Sequence, residues 1–198
     1  MANTNLLIAS FPRSGSHYLQ HILIDSLDTR VIRRHPGFTG FDDNPIIPSI
    51  TLIRNPLDTI SSVISLVEKR SLSADPGYGW SIMLEPFTDE EISTKIVEAK
   101  NIYLATMNFA ENKSDLIIKF ETLVSDPESV IDLISNRFEI PVVSYEVDYE
   151  AFLQNNDDVE TETTVNYPRY DYIKSIVENV DLSECNNRYL EVFAQSDI

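Results

Sequence analysis

The sequence lacks the usual features of a secreted or membrane-inserted protein. Among its 198 residues Cys185 is the only cysteine, so an internal disulfide is excluded and a reducing environment is favoured. No apolar run approaches the roughly 20 residues needed to span a bilayer. The first residues also lack the cationic and apolar segments of a signal peptide. We therefore expect a cytoplasmic protein that is neither secreted nor inserted in a membrane.

Positive charge is also scarce. The chain has 15 Lys and Arg against 32 Asp and Glu, a net charge of −17. Such a surface repels nucleic acid and anionic membranes, so we expect no binding to either. Residues 1–54 are the exception, with a net charge of +1 that leaves −18 for the rest. This asymmetry indicates an acidic, solvated surface. It is also compatible with an anion site in the first quarter of the chain.

A strand, a tight turn and a helix follow one another near the N-terminus. An apolar run ends at Phe11-Pro12, and apolar residues recur at helical spacing from Ser16 onward. In the turn, Gly15 lets the backbone bend sharply and approach a ligand. Arg13 adds a fixed positive charge, and the hydroxyls of Ser14 and Ser16 add donors. Together with the amides and the positive dipole end of the helix, they predict an anion site, most naturally for phosphate.

This turn lacks the features of a nucleoside-triphosphate loop. Such a loop needs the pattern G-x-x-x-x-G-K-[ST], whereas the turn has one glycine and no following lysine. We also find no apolar strand that ends in an aspartate able to hold Mg²⁺. His17 and His21 lie four residues apart on the predicted helix, but no third ligand is suggested, so we interpret them as packing residues and expect no metal.

The remaining sequence alternates between strand and helix patterns. Further strands are predicted to end at His35-Pro36, at Pro56 and at Phe120, and helices are predicted after Asn55, Thr88 and Asp126 and over residues 168–179 and 183–195. Residues 71–88 and 144–164 have no clear period, which indicates loops or lids. This alternation predicts one α/β domain over residues 1–198, with a mainly parallel sheet flanked by helices.

The parallel sheet makes a prediction about where a ligand binds. Ligands in such sheets bind beyond the carboxyl ends of the strands. The side chains that follow the four predicted strands should therefore converge there: Arg13, His35, Arg54 and Phe120.

Two segments resemble a known family. The sequence FPRSGSHYL is similar to the P-[KR]-S-G-[ST]-x-[WY] loop of sulfotransferases that use 3′-phosphoadenosine 5′-phosphosulfate (PAPS), and LIRNPLDTISSVIS resembles their R-[ND]-P-x-D segment with its later serine. The resemblance implies a P-loop-like, sulfotransferase-type nucleotide-binding core and no metal. It implies that the 3′-phosphate is held by Arg54 and Ser62. The implied ligands of the 5′-phosphosulfate end are Arg13, Ser14, Gly15, Ser16, His17 and Tyr18.

The resemblance also implies roles for residues outside these two motifs. Arg33-Arg34-His35 is similar to the family's [KR]-x-H element, which makes His35 the catalytic base, with Asp42 or Asp43 as the alternative base. Arg13 would stabilise the leaving phosphate. Phe120 would lie near the adenine, although as a residue it is equally well a core aromatic. The segment YPRYDYIK would supply a second cation for the 3′-phosphate, first Arg169 and next Lys174.

The expected activity is in-line transfer of a sulfuryl group from PAPS to a hydroxyl or amine, with 3′-phosphoadenosine 5′-phosphate (PAP) as product. The expected acceptor is a small molecule or a glycan. Arg13 replaces the more common lysine, Tyr18 replaces a common tryptophan, and the family's C-terminal R-K-G element is missing. A nucleotide or small-molecule kinase-like phosphotransferase and a non-catalytic nucleotide-binding member are therefore the alternatives. No motif identifies the acceptor or the oligomeric state.

Overall fold

The computed structural model describes residues 4–37, 46–72, 85–145, 147, 152 and 167–198. The strands of this part are β1 (Thr4–Ser10), β2 (Thr29–Arg34), β3 (Ser49–Ile53) and β4 (Leu116–Lys119). The helices are α1 (Ser16–Ser26), α2 (Pro56–Leu72), α3 (Asp89–Lys113), α4 (Phe120–Ser125), α5 (Pro127–Phe138), α6 (Tyr170–Glu178) and α7 (Ser183–Gln195).

The described strands form one four-stranded sheet in the order β2-β1-β3-β4, and each neighbouring pair is parallel. The predicted α/β class with a parallel, helix-flanked sheet is therefore confirmed. Because the chain moves from β1 to β2 on one side and later returns to β3 on the other, the strand order reverses beside β1. A reversal of this kind leaves a crevice at the carboxyl ends of the strands.

Each face of the sheet packs against its own helices. Leu6 and Ile8 of β1 pack in a core with apolar residues of α1 and α5. On the other face, Ile53 and Ile117 pack with apolar residues of α2, α3, α6 and α7. All five residues of β3 are buried, which explains its nearly continuous apolar sequence. In β2 half-buried and exposed residues alternate, as expected for an edge strand.

Local signals set the helix starts. The predicted capping box is present, because Thr88 Oγ1 accepts from the Glu91 amide at 3.3 Å and a Glu91 carboxylate oxygen accepts from the Thr88 amide at 2.8 Å. Asp126 caps α5 through the Ser129 amide at 3.2 Å. Asn55 Oδ1 accepts from the Asp58 amide at 3.3 Å at the start of α2.

Two predicted boundaries differ from the structure. β4 ends at Lys119, and Phe120 is the first residue of the short helix α4 rather than the end of a strand. Residues 71 and 72 still belong to α2, while residues 73–84 of the predicted loop 71–88 lie outside the described residues. The same is true of most of the segment 144–164 and of Asp42 and Asp43.

Among the helices of the described residues, none is long and apolar enough to cross a membrane.

Candidate active site

The turn between β1 and α1 has an unusual backbone. Arg13 and Gly15 both lie in the left-handed region, with φ of 69° and 92°. For a residue with a side chain this conformation costs on the order of 1 kcal/mol, and such strain is found mainly at binding sites. The turn is closed by Ser14, whose amide and hydroxyl both donate to the Phe11 carbonyl, at 3.2 and 2.8 Å. We call residues 11–16 the cradle.

The cradle leads directly into the N-terminus of α1. Gly15 is the N-cap residue, and it has no side chain that could accept from the first turn. The first intrahelical amide is that of Leu19, which donates to the Gly15 carbonyl at 3.0 Å. The amides of the first turn and the positive end of the helix dipole therefore face the cradle, which is the arrangement that binds phosphate groups.

Phe120 packs directly against the cradle. A Cβ atom added at Gly15 would lie 2.5 Å from Cδ2 of Phe120, so any side chain at this position would collide with the ring. The guanidinium carbon of Arg54 lies 4.2 Å from the centroid of the same ring, a cation–π contact. The Phe120 ring thus packs against both Gly15 and the Arg54 guanidinium.

The two sequence motifs contact each other through their arginines. Arg54 Nη1 donates to the Arg13 carbonyl at 3.4 Å, and Arg13 Nε donates to Ser62 Oγ at 3.4 Å. Ser62 is nearly buried. The resemblance pairs Ser62 with Arg54, whereas in the structure its hydroxyl accepts from Arg13. Ser62 therefore lies at the contact between the two motifs.

His35 follows the end of β2 and lies beside the cradle. Its Nδ1 is 2.6 Å from the Ser10 carbonyl oxygen. Because a carbonyl can only accept, Nδ1 must carry the proton, and Nε2 is then the basic nitrogen. Burial lowers the pKa of His35; the bond to Ser10 opposes this shift, and the charges of Arg33 and Arg34 add to it. The imidazole is therefore neutral near pH 7, as a general base must be.

The four residues expected to converge all lie at the carboxyl edge of the sheet. His35 contacts the last residue of β1, Arg54 contacts Arg13, and Phe120 contacts both Gly15 and Arg54. The parallel register explains this, since it places all four carboxyl ends at the same edge of the sheet.

Arg169 has a different environment from the one that the resemblance implies. Its Nε lies 3.1 Å from Oε2 of Glu68, which is fully buried, and its Nη2 donates to the Phe87 carbonyl at 2.9 Å. Glu68 also accepts from the Phe87 amide at 2.8 Å and from the Tyr167 hydroxyl at 2.6 Å. A buried carboxylate needs such partners. Arg169 thus compensates Glu68 in the packing of α2, and its role as a phosphate ligand stays a prediction.

Lys174 is the cation of the C-terminal segment that lies beside Arg54. Its Nζ is 2.8 Å from Oδ1 of Asp58, which follows Arg54 by four residues in the first turn of α2, and both side chains are about one-third exposed. Burial raises the pKa of Tyr170; the Asp58 charge adds to this effect, whereas Lys174 and Arg54 oppose it. These four residues therefore share one neighbourhood at the edge of the site.

Tyr18 and His21 take part in packing. Tyr18 is buried, and its ring lies 5.1 Å from that of Phe152, while the His21 ring lies 5.2 Å from that of Phe152. His21 Nδ1 is also 3.3 Å from Asp25. Within the described ranges no three His, Cys, Asp or Glu side chains lie close enough to hold a metal ion.

Sequence reasoning missed Tyr103. This residue lies in the middle of α3, and its hydroxyl donates to the Arg54 carbonyl at 2.6 Å. Its ring packs edge-on against Phe11, with centroids 5.5 Å apart. In the sequence Tyr103 is one apolar position of a long helix, and no local signal connects it with either motif.

Comparisons with known proteins give a likeness in structure but none in sequence. No family model and no curated protein matches the sequence. Among solved structures, the chain is similar to the crystal structure of mouse sulfotransferase SULT7A1 complexed with PAP, with 15% identity and a TM-score of 0.48, over 98% of this chain and 84% of that chain. The fold class given above depends on this protein's own strand order and register.

Proposed function

We propose that the protein is a PAPS-dependent sulfotransferase that transfers a sulfuryl group to an acceptor hydroxyl or amine. The contact between the two arginine corners is the observation that carries this proposal. Arg13 and Arg54 extend from adjacent strands, and Arg54 Nη1 lies 3.4 Å from the Arg13 carbonyl. Two neighbouring cationic corners suit a nucleotide that has an anionic group at each end of its ribose, as PAPS has.

The residues present fit such a nucleotide. The left-handed turn at Arg13 and Gly15, which leads into the first amides of α1, suits close approach of the 5′-phosphosulfate to the backbone. Arg54 would hold the 3′-phosphate, and Lys174 borders that corner through Asp58. Phe120, in contact with Gly15 and Arg54, would hold the Arg54 guanidinium in position beside the cradle.

PAPS, when bound, would supply an activated sulfuryl group at the cradle. His35 Nε2 would take the proton of the acceptor while the acceptor oxygen or nitrogen bonds to sulfur. PAPS would also supply the leaving group, since its 5′-phosphate would take the electron pair of the bond to sulfur. Arg13 and the amides of α1 would stabilise this charge. The Ser10 carbonyl, which accepts from Nδ1, orients the ring and favours the imidazolium that results.

A binding experiment tests the nucleotide. Calorimetry and thermal unfolding would compare PAP, AMP, and ATP with Mg²⁺. We expect PAP to bind best, and at about 100 times its Kd to raise the unfolding midpoint by roughly 5–10 °C. Better binding of ATP with Mg²⁺ would favour a kinase-like phosphotransferase instead. Equal binding of PAP and AMP would contradict a 3′-phosphate site.

A turnover experiment tests the reaction. PAP release from PAPS would be measured with panels of small hydroxyl and amine acceptors and of glycans. Release that depends on an acceptor would support the transferase. PAP binding with no release for any acceptor in the panels would favour the non-catalytic alternative.

A further inference from the structure

We propose that Tyr103 is a positioning residue that fixes Arg54 relative to the cradle and so sets the protein's preference for a 3′-phosphorylated nucleotide. This inference rests on the proposed function. Tyr103 belongs to neither motif and lies on α3, yet it contacts the first residue of the cradle and the arginine of the second corner.

The hydroxyl of Tyr103 holds the backbone of Arg54. It is fully buried and donates to the Arg54 carbonyl at 2.6 Å. Arg54 follows β3 and precedes Asn55, which caps α2, so its carbonyl lies where the chain leaves the sheet. Burial raises the pKa of Tyr103, and the phenol therefore stays protonated and keeps donating at any physiological pH.

The ring of Tyr103 holds the cradle. Its centroid lies 5.5 Å from that of Phe11 in an edge-on arrangement, and Phe11 is the residue whose carbonyl accepts both donors of Ser14. One rigid side chain therefore contacts the framework of both anion corners. Because the hydroxyl acts on Arg54 and the ring acts on Phe11, removing the hydroxyl alone should disturb only the Arg54 corner.

This separation gives an experiment that a merely structural role would not satisfy. The affinities of PAP and AMP would be measured by calorimetry for the wild type and for Tyr103→Phe, because the two ligands differ only in the 3′-phosphate. We expect Tyr103→Phe to lower PAP affinity about tenfold, the equivalent of one well-placed hydrogen bond, and AMP affinity less than about twofold. The ratio of the two affinities is the readout, and the unfolding midpoint is recorded alongside it.

Two further variants complete the test. Tyr189→Phe removes another hydroxyl, from a residue of α7 that packs against the same core cluster, and should leave the ratio unchanged. In an Arg54→Ala background, Tyr103→Phe should no longer change the ratio, because the group it positions is gone.

The outcomes separate this inference from the proposed function. A wild type that binds PAP and AMP equally would overturn both. A wild type that prefers PAP, with a Tyr103→Phe variant that prefers it equally, would overturn the positioning role alone. The positioning role would also be overturned if Tyr103→Phe lowered the PAP and AMP affinities by the same factor, or if it lowered only the unfolding midpoint. A lowered ratio that persists in the Arg54→Ala background would also reject the role.

Discussion

Arg54 and Arg169 are both half-buried, but their surroundings differ. Arg169 pairs with the buried carboxylate of Glu68 and donates to a carbonyl. The Arg54 guanidinium contacts a carbonyl and the Phe120 ring, and among the described residues no carboxylate pairs with it. The positive charge of Arg169 is thus compensated within the fold, whereas that of Arg54 is held in place by neutral groups and retains its attraction for an anion.

The comparison extends to the regions that contain these arginines. The cluster of Glu68, Tyr167, Phe87 and Arg169 joins α2 to the segment before α3 and to the start of α6. The carboxyl edge of the sheet instead contains the strained turn of the cradle, the neutral His35, and the two arginines Arg13 and Arg54. We therefore expect changes in the cluster to affect stability and changes at the edge to affect binding or turnover. The following predictions test this division, from the largest expected effect to the smallest.

His35→Asn should abolish most of the turnover at the carboxyl edge. Loss of a general base lowers kcat by about 10²- to 10⁴-fold, while the arginines proposed to bind the nucleotide are untouched. PAP release under saturating PAPS and acceptor measures kcat, and calorimetry measures PAP affinity. Full turnover with unchanged PAP binding would move the role of base away from His35.

Glu68→Gln should destabilise the protein without weakening PAP binding. Breaking a buried ion pair costs about 3 kcal/mol, and since Arg169 keeps some contact with water the cost should lie at or below this figure. Urea unfolding measures the loss, and calorimetry measures PAP affinity in the folded variant. A tenfold loss of PAP affinity with unchanged stability would show that the division is wrong.

Arg54→Met and Arg169→Met form a matched pair. The first should weaken PAP binding by about 10- to 100-fold, the value of a charged hydrogen bond, and AMP binding much less. The second should change PAP affinity less than about twofold and lower the unfolding midpoint instead. Equal losses of PAP affinity in both variants would contradict this division and support Arg169 as a phosphate ligand.

The smallest effect is on the pH dependence of stability. The pKa of His35 is lowered in the folded protein, so below its ordinary value the unfolded chain binds more protons than the folded one. The stabilisation that neutral His35 contributes is therefore fully present above about pH 6.5, the ordinary pKa of histidine. It is lost as the pH falls through the pKa of His35 in the folded protein. Urea unfolding of the wild type and His35→Asn at about pH 5 and 7.5 measures it. A wild-type advantage that grows toward low pH would contradict this sign.

The sequence predicted most of the fold because the signals for its elements are local. The apolar run of β3, the capping box at Thr88 and Glu91, and the Asp126 cap each act within a few residues, and the structure contains all of them. The boundary at Phe120 was wrong because a short helix begins there directly after β4. Phe120 faces Gly15 and Arg54, and such long-range contacts leave no local pattern.

The sequence by itself determined the alternation of strands and helices and the glycine turn at the start of α1. It also determined the positions of Arg13, His35 and Arg54 after the ends of strands. A parallel sheet then brings those ends to one edge, which is why these residues could be foreseen as neighbours. Only the tertiary structure decided which arginine is compensated by Glu68 and which residue holds Arg54 to the cradle. Those partners are distant in sequence, so only the packing of the folded protein brings them together.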